Sequence, residues 1–181
     1  MSASKIRGKI LRALWAAGTP MALEEIAEKI GLNSSSTMGY LLGLIKADYV
    51  SVPQKHSYAI TNLGKQALGL PKVDNKLASC ILSSLPIEKA FHFYYNINQY
   101  SGIHADSLTD FVNKIQKVDL KSIEFHISRK DFELWIRSLG DLELSKRMEL
   151  LRIEQLSGEN LRKEVYKIVK SRCEELAKLA L

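Results

Sequence analysis

The 181-residue chain is poor in the residues that mark disulfide-rich, collagen-like or low-complexity proteins, with two cysteines, four prolines and ten glycines. Cys80 and Cys173 are far apart and lie at apolar helical spacings. We therefore expect small buried side chains in a reducing compartment, rather than a disulfide or a metal pair. No apolar run reaches the roughly 18 residues of a transmembrane helix, and Lys9 and Arg12 interrupt any signal-peptide core. These absences predict a soluble, cytoplasmic protein with no membrane partner.

The sequence also lacks the motifs of common catalytic and nucleotide-binding sites. It contains no GxxxxGK[ST] or GxGxxG stretch. Ser157-Gly158-Glu159 is typical of a helix start rather than of a nucleophile elbow. Asp131 and Asp141 stand at the starts of two predicted helices, where carboxylates act as caps. We therefore predict no catalytic residue and no cofactor, and we expect the protein not to be an enzyme.

Three histidines are candidates for metal ligands. His92, His104 and His126 are separated by 12 and 22 residues, with no cysteine close by. Zinc-binding imidazoles usually occur at fixed short spacings or together with a carboxylate. We therefore predict histidines packed within an aromatic core and no metal site.

The positive charge is concentrated in the first part of the chain. Lysine and arginine number 26 and aspartate and glutamate 20, a formal net charge of +6. Residues 1–70 hold 8 basic and 4 acidic side chains, whereas residues 71–181 hold 18 and 16. The N-terminal segment therefore carries +4 of the charge, which favours an acidic partner such as nucleic acid.

Apolar spacing in residues 1–70 predicts three helices, a β-hairpin and a fourth helix that Thr61 can cap. The third helix is expected to run from a cap-rich turn, Asn33–Ser36, to about Ala47, and the hairpin turns within Pro53–Ser57. Four apolar side chains of the third helix are predicted to face inward, namely Met38, Leu41, Leu42 and Ile45. The residues left outward are Ser36, Thr37, Tyr40, Gly43 and Lys46.

This order of elements resembles a winged helix-turn-helix, and the stretches LEEIAEKIGLNSSSTMGYLLGLIKADYVSV and PQKHSYAITNLGKQAL are similar to archaeal and bacterial winged-helix transcription regulators. The resemblance implies that the third helix enters the major groove of double-stranded DNA and that the wing follows the phosphates. The implied groove-facing residues are Ser35, Ser36, Thr37, Tyr40 and Lys46, and the implied wing tip is Lys55 and His56. Lys5, Arg7 and Lys9 on the first helix could contact the backbone. The alternative is a non-enzymatic adaptor whose winged helix contacts another protein.

The second part of the chain is aromatic-rich and is predicted to be mainly helical. Residues 1–70 are expected to form the winged helix-turn-helix, 71–74 a linker and 75–181 a helical domain. Helix starts are predicted at Pro86, Ser107, Asp119 and Ser128, where a proline or a capping residue precedes an apolar run. Ala90–Tyr94 also alternates like a strand. AFHFYYNINQYSGIHADSLTDFVNKI and SIEFHISRKDFELWIRSLGDLEL resemble a prokaryotic domain of uncharacterised function, so the resemblance implies no reaction.

Two roles are open for this second domain. The apolar stripe of the last helix suggests a homodimer through residues 159–180. Four aromatic side chains could instead line a small-molecule pocket, although a place in the core is the simpler interpretation: Tyr94, Tyr95, Tyr100 and Trp135.

Overall fold

A computed structural model describes residues 3–181, and its contacts divide the chain into two compact units. The first unit ends at Lys72, and the second begins at Val73. The fold is mainly helical, with a small antiparallel sheet in the first unit, as the sequence predicts.

Within residues 3–72, the first unit contains four helices and three short strands. In chain order they are α1 (Ala3–Ala17), β1 (Met21–Ala22), α2 (Leu23–Ile30), α3 (Ser34–Lys46), β2 (Val50–Gln54), β3 (Ser57–Ile60) and α4 (Asn62–Ala67). The strands form a sheet in the order β1-β3-β2. β1 was not predicted, because two residues are too few to show alternation. It joins the hairpin by pairing Met21 with Tyr58.

Local capping explains the helix boundaries of the first unit. Gly31 ends α2 at φ 71°, a left-handed conformation that favours glycine. The Asn33 side chain accepts a hydrogen bond from the Ser36 amide at 2.8 Å and begins α3. Thr61 caps α4 by accepting from the Gly64 amide at 3.0 Å. These polar residues therefore position α2 and α3 as a helix-turn-helix and attach α4 to the end of the hairpin.

The second unit contains six helices, one 3-10 turn and one hairpin. Its helices and strands are α5 (Asn75–Leu82), β4 (Phe91–Asn96), β5 (Gln99–Ala105), α6 (Leu108–Ile115), α7 (Leu120–Ser128), α8 (Asp131–Ser138), α9 (Leu142–Ile153) and α10 (Gly158–Ala180). Ser107 and Asp119 cap α6 and α7, as predicted. Asp141 caps α9, also as predicted, by accepting from the Leu144 amide at 3.0 Å.

Two local predictions for the second unit are wrong. The helix expected after Pro86 is only a 3-10 turn, Ile87–Lys89, because the chain then enters the β4–β5 hairpin. The Ser128 side chain donates to the Phe125 carbonyl at the end of α7 and does not begin α8. The residue before α8 is Lys130, at φ 68°.

An aromatic cluster forms the centre of the second unit. The rings of Phe91 and Phe111 meet edge to face with centroids 5.5 Å apart, and Phe93 stacks on Phe111 at 5.6 Å. His126 is only 3% exposed and lies 4.9 Å from the Phe91 ring. The expectation that histidine packs in an aromatic core is thus met at His126, whereas His92 and His104 are half-buried on the hairpin.

The apolar stripe of α10 is used within its own unit. Leu161, Val165, Val169 and Leu176 are buried in the core of the second unit, against α5, α6, α7 and α9. Four packing partners explain a stripe wider than one helix contact requires. The stripe therefore no longer supports a dimer, and dimerisation through residues 159–180 stays a prediction.

A buried ion-pair network joins α10 to α9. Arg172 is 1% exposed and makes two hydrogen bonds to Asp141, at 2.8 and 3.1 Å. The same guanidinium lies 2.9 Å from Glu143 and 2.8 Å from Glu175. Burial by itself lowers the Arg172 pKa, but the hydrogen bonds and charges of Asp141 and the two glutamates outweigh it and raise the pKa. The buried charge is thus fully paired.

The two cysteines differ in their surroundings. Cys173 is half-buried on α10, and burial raises the pKa of its thiol to about 11. Cys80 is exposed on α5, so its predicted burial is wrong: it lies on the outer side of a helix that turns Ala78 and Ile81 inward. Within residues 3–181, no helix combines the length and apolar character needed to span a bilayer.

Candidate nucleic-acid interface

Residues of α1, α2 and the sheet hold α3 at the surface of the first unit. Leu41 and Leu44 of α3 are buried, at 0% and 2% exposure, in a core shared with Ile10 and Ile26. The Tyr58 hydroxyl donates to the Met38 sulfur at 3.9 Å and connects β3 to α3. Both contacts lie on one side of α3, so its opposite side is open to a partner.

The exposed residues of α3 form one continuous stripe, which we call the α3 stripe: Ser35, Ser36, Gly39, Leu42 and Lys46. Ser35, Gly39, Leu42 and Lys46 are three to four residues apart and therefore lie along one side of the helix, and Ser36 lies at the edge of this side. Ser35 and Ser36 lie in the first turn of α3, at the helix end where the dipole favours anions, and the Ser36 amide itself is bound by the Asn33 cap. Lys46 lies in the last turn.

Two of the predicted groove-facing residues have other surroundings. Thr37 is fully buried, and its hydroxyl donates to the Asn33 carbonyl at 2.9 Å. Its predicted outward position is therefore wrong, because the side chain satisfies the start of its own helix. Tyr40 is half-buried and packs against the core of the first unit, so only part of its ring is available to a partner.

The positions of Leu42 and Leu44 correct the predicted inward face. Leu42 is 59% exposed, whereas Leu44, which was not predicted to be inward, is buried. Adjacent leucines at positions 41 and 42 cannot both face the core of a helix, since neighbouring side chains are about 100° apart. The three-residue spacing of Leu41 and Leu44 could have identified these two leucines as the inward pair. Leu42 and Gly39 would then have been predicted to face outward, in the α3 stripe.

The wing is a tight hairpin between β2 and β3. Gln54 pairs with Ser57, so Lys55 and His56 alone form the turn. Both side chains are exposed, and His56 has a left-handed backbone at φ 62°. The turn is shorter than the predicted Pro53–Ser57 connection. It presents a cation at the tip of the hairpin.

The first helix carries exposed cations, one of which lies beside α3. Lys5, Arg7 and Lys9 are exposed, and α1 contains no acidic residue. A Cβ atom at Gly43 would lie 3.4 Å from an Arg7 guanidinium nitrogen, which places Arg7 against α3. The structure therefore brings Arg7 to the candidate interface.

Acidic residues of the first unit lie mainly on α2. Glu24, Glu25 and Glu28 are exposed there, and the Glu25 carboxylate accepts from the Ala22 amide at 2.9 Å. In contrast, α3 contains no acidic residue. This distribution leaves α1, α3 and the wing favourable to a polyanion. Residues 3–181 hold no group of three or more histidine, cysteine or carboxylate side chains placed to bind a metal ion.

The fold and the exposed side of α3 define a winged helix-turn-helix unit, and comparisons with known proteins agree. Residues 8–53 match the profile of the IclR helix-turn-helix domain. The chain is 29% identical over 113 residues to the LexA repressor of Leuconostoc mesenteroides subsp. mesenteroides. That alignment covers 51% of this chain and 53% of the repressor, so the chain spans about half the length of this curated relative. No solved structure matches the chain significantly. Together, these matches support a DNA-binding transcription regulator.

Proposed function

We propose that the protein is a transcription regulator that inserts α3 into the major groove of double-stranded DNA. The observation that carries this proposal is the α3 stripe, which is exposed and free of acidic residues on a helix-turn-helix. Its serine hydroxyls are suited to phosphate oxygens or base edges, and Leu42 is suited to a thymine methyl group. We expect the stripe to supply sequence preference.

In this proposal the remaining cations bind the phosphate backbone. Lys55 and His56 form the wing tip, and Lys5, Arg7 and Lys9 lie on α1. Since α3 has no arginine and a single lysine, most electrostatic attraction must come from α1 and the wing. We thus assign affinity mainly to the cations and preference mainly to the α3 stripe.

The replacement Lys55→Glu tests the proposal on the full chain. It should weaken binding to all duplex sequences alike, by several-fold at low salt, because a phosphate contact becomes a repulsion. Fluorescence anisotropy with labelled duplexes of different sequence measures the change. Lys163→Glu, at an exposed position on α10, makes the same charge change in the second unit and should leave binding unaltered. Absence of duplex binding even at low salt would refute the proposal.

A second candidate function, a protein-binding adaptor, is favoured by exposed apolar side chains on the same unit. Leu42, Val52 and Leu63 are 59%, 46% and 43% exposed. Where exposed apolar side chains lie together as a patch, they mark a protein-binding surface. In an adaptor, Leu42→Ala would abolish partner binding, whereas Lys55→Glu would have little effect.

A homodimer through residues 159–180 would match two half-sites on DNA. The burial of the α10 stripe leaves this without structural support. Sedimentation of the full chain at high micromolar concentration tests it, and a monomer would remove it.

A further inference from the structure

The second unit contains a cavity lined by charged side chains. Neither the fold of the unit nor the proposed DNA binding uses all of their hydrogen-bonding atoms. The cavity has a volume of about 390 Å³ and lies between the β4–β5 hairpin and the α7–α8 turn. This volume is within the range of small-molecule sites, about 300–1,000 Å³. Its lining includes Tyr94, Asn96, Phe125, Arg129 and Asp131.

One wall of the cavity supplies opposite charges with unused hydrogen-bonding capacity. Arg129 donates through Nε to Oδ2 of Asp131 at 3.3 Å, and the same oxygen lies 2.7 Å from Nδ1 of His126. Within residues 3–181, neither terminal nitrogen of Arg129 nor Oδ1 of Asp131 has a hydrogen-bond partner. A guanidinium edge can bind a carboxylate, and the free carboxylate oxygen can accept from an ammonium group.

The aromatic side chains of the cavity are held in place. The Arg129 guanidinium lies over the Phe125 ring at 5.0 Å, which fixes the cation beside an apolar surface. The Tyr94 amide donates to Nε2 of His126 at 2.8 Å, so both ring nitrogens of His126 are occupied and the imidazole is structural. The half-buried Tyr94 ring faces Tyr100 at 5.3 Å. The Phe125 and Tyr94 rings therefore provide an apolar surface for a ligand side chain beside the Arg129–Asp131 pair.

The backbone around the cavity departs from regular geometry. The β4–β5 pairing shifts register on both sides of Tyr94, and bulges of this kind often re-aim side chains at binding sites. Lys130, immediately before Asp131, has a left-handed backbone at φ 68°, which is costly for a residue with a side chain. The first irregularity lies at the cavity residue Tyr94, and the second lies between the cavity residues Arg129 and Asp131.

We propose that this cavity binds a free α-amino acid with an apolar side chain, its carboxylate on Arg129 and its ammonium group on Asp131. A simple anion would be repelled by Asp131, and a simple cation by Arg129. A zwitterion has both charges on neighbouring atoms, and its side chain would contact Tyr94 and Phe125. The second unit would then be the part of the chain that senses a metabolite.

Calorimetric titration of the full chain, without DNA, tests the charge requirement. The probes are L-phenylalanine and L-leucine, with 3-phenylpropionate and 4-methylpentanoate lacking the ammonium group, and phenethylamine and isopentylamine lacking the carboxylate. Both amino acids should bind, and each single-charge analogue should bind at least about tenfold more weakly, since it loses a charged hydrogen bond. Equal binding of the carboxylates, or no binding of either amino acid, overturns the proposal.

Replacements locate the site. Arg129→Gln and Asp131→Asn should each weaken amino-acid binding at least about tenfold, whereas Arg137→Gln, at an exposed position of α8, should not. Unchanged binding by Arg129→Gln contradicts the assignment. If a variant unfolds, the site is tested on the parent protein by the changes in amide NMR chemical shift that L-phenylalanine causes. Changes at Tyr94, Phe125 and Arg129 support the site. Changes confined to other residues overturn it. Because no DNA is present, failure here leaves DNA binding by the first unit untouched.

Discussion

Gly64 is required by the close approach of α4 to the hairpin. A Cβ atom there would overlap the Tyr49 carbonyl oxygen and lie 2.8 Å from a side-chain carbon of Ile60. The carbonyl belongs to a backbone held by the Thr61 amide at 3.1 Å, so it cannot move freely. Gly64 is therefore part of how the fourth helix attaches to the wing.

We predict that Gly64→Ala lowers the free energy of unfolding by about 1–3 kcal/mol, the usual cost of overpacking. Urea denaturation followed by circular dichroism measures it. Gly39→Ala is the matched control, because a Cβ at Gly39 has nothing within 4 Å. It should raise the free energy of unfolding by about 0.5–1 kcal/mol, since alanine favours a helix. An unchanged stability for Gly64→Ala would contradict the tight contact.

His126 makes the stability of the second unit depend on pH. Burial among aromatic rings lowers its pKa below the ordinary 6.5, while the hydrogen bond and charge of Asp131 partly oppose this and the Arg129 charge adds to the lowering. The unfolded chain then binds more protons than the folded chain just below pH 6.5. Stability is therefore lost as the pH falls through this range.

The melting temperature should accordingly fall between about pH 7 and about pH 5, and His126→Gln should flatten that fall. Thermal unfolding of both proteins at each pH measures the difference. His56→Gln, at the exposed wing tip, serves as the matched histidine replacement and should follow the parent protein. If the melting temperatures of the parent and His126→Gln fall in parallel with pH, His126 does not cause the loss of stability in acid.

At the scale of elements, α3 has one side buried in the core of the first unit and one side exposed. The fold does not explain the amino-acid composition of the exposed side. Gly39 lies in the middle of a helix, where glycine is less stable than alanine, and a Cβ atom added there would meet nothing within 4 Å. A glycine there allows close approach by a partner, which in the proposed function is DNA.

Gly39→Ala should therefore weaken binding to duplex DNA even though it stabilises the helix. Fluorescence anisotropy titrations at fixed salt measure the change in DNA affinity, and urea denaturation of the same variant measures the change in stability. A several-fold loss of affinity is expected if the α3 backbone lies close to base edges. Unchanged DNA affinity together with the higher stability would argue that the α3 stripe does not enter the groove.

Sequence patterns predicted the elements whose causes are local. Asn33, Thr61, Ser107 and Asp119 begin their helices because a cap depends on residues two or three positions away. The β4–β5 hairpin was indicated only by the strand-like alternation of Ala90–Tyr94, since its aromatic residues suit a helix or a strand equally and only pairing across the turn decides between them.

The candidate sites were less predictable than the elements. Adjacent leucines hid the orientation of Leu42, and Thr37 looked like a groove residue until its hydroxyl found the Asn33 carbonyl. The cavity in the second unit depends on Tyr94 meeting His126 across 32 positions. No local pattern reports a contact at that separation.

At the scale of the whole molecule, the division of charge predicts how DNA binding depends on salt. Five exposed cations of the first unit are the phosphate contacts that we propose: Lys5, Arg7, Lys9, Lys46 and Lys55. Each phosphate contact contributes about 0.9 to the negative slope of log affinity against log salt concentration, so five give a slope no steeper than about −4.5. Residues 71–181 carry 18 basic and 16 acidic side chains and should add little.

Titrations of the full chain from about 50 mM to about 200 mM salt measure this slope. We expect a value between about −3 and −4.5, made shallower by about 1 in Lys55→Glu. Lys163→Glu again supplies the control and should leave the slope unchanged, because it lies on the nearly neutral second unit. A slope near −10 would require many phosphate contacts from that unit, so the division of labour between a DNA-binding first unit and a ligand-binding second unit would be wrong.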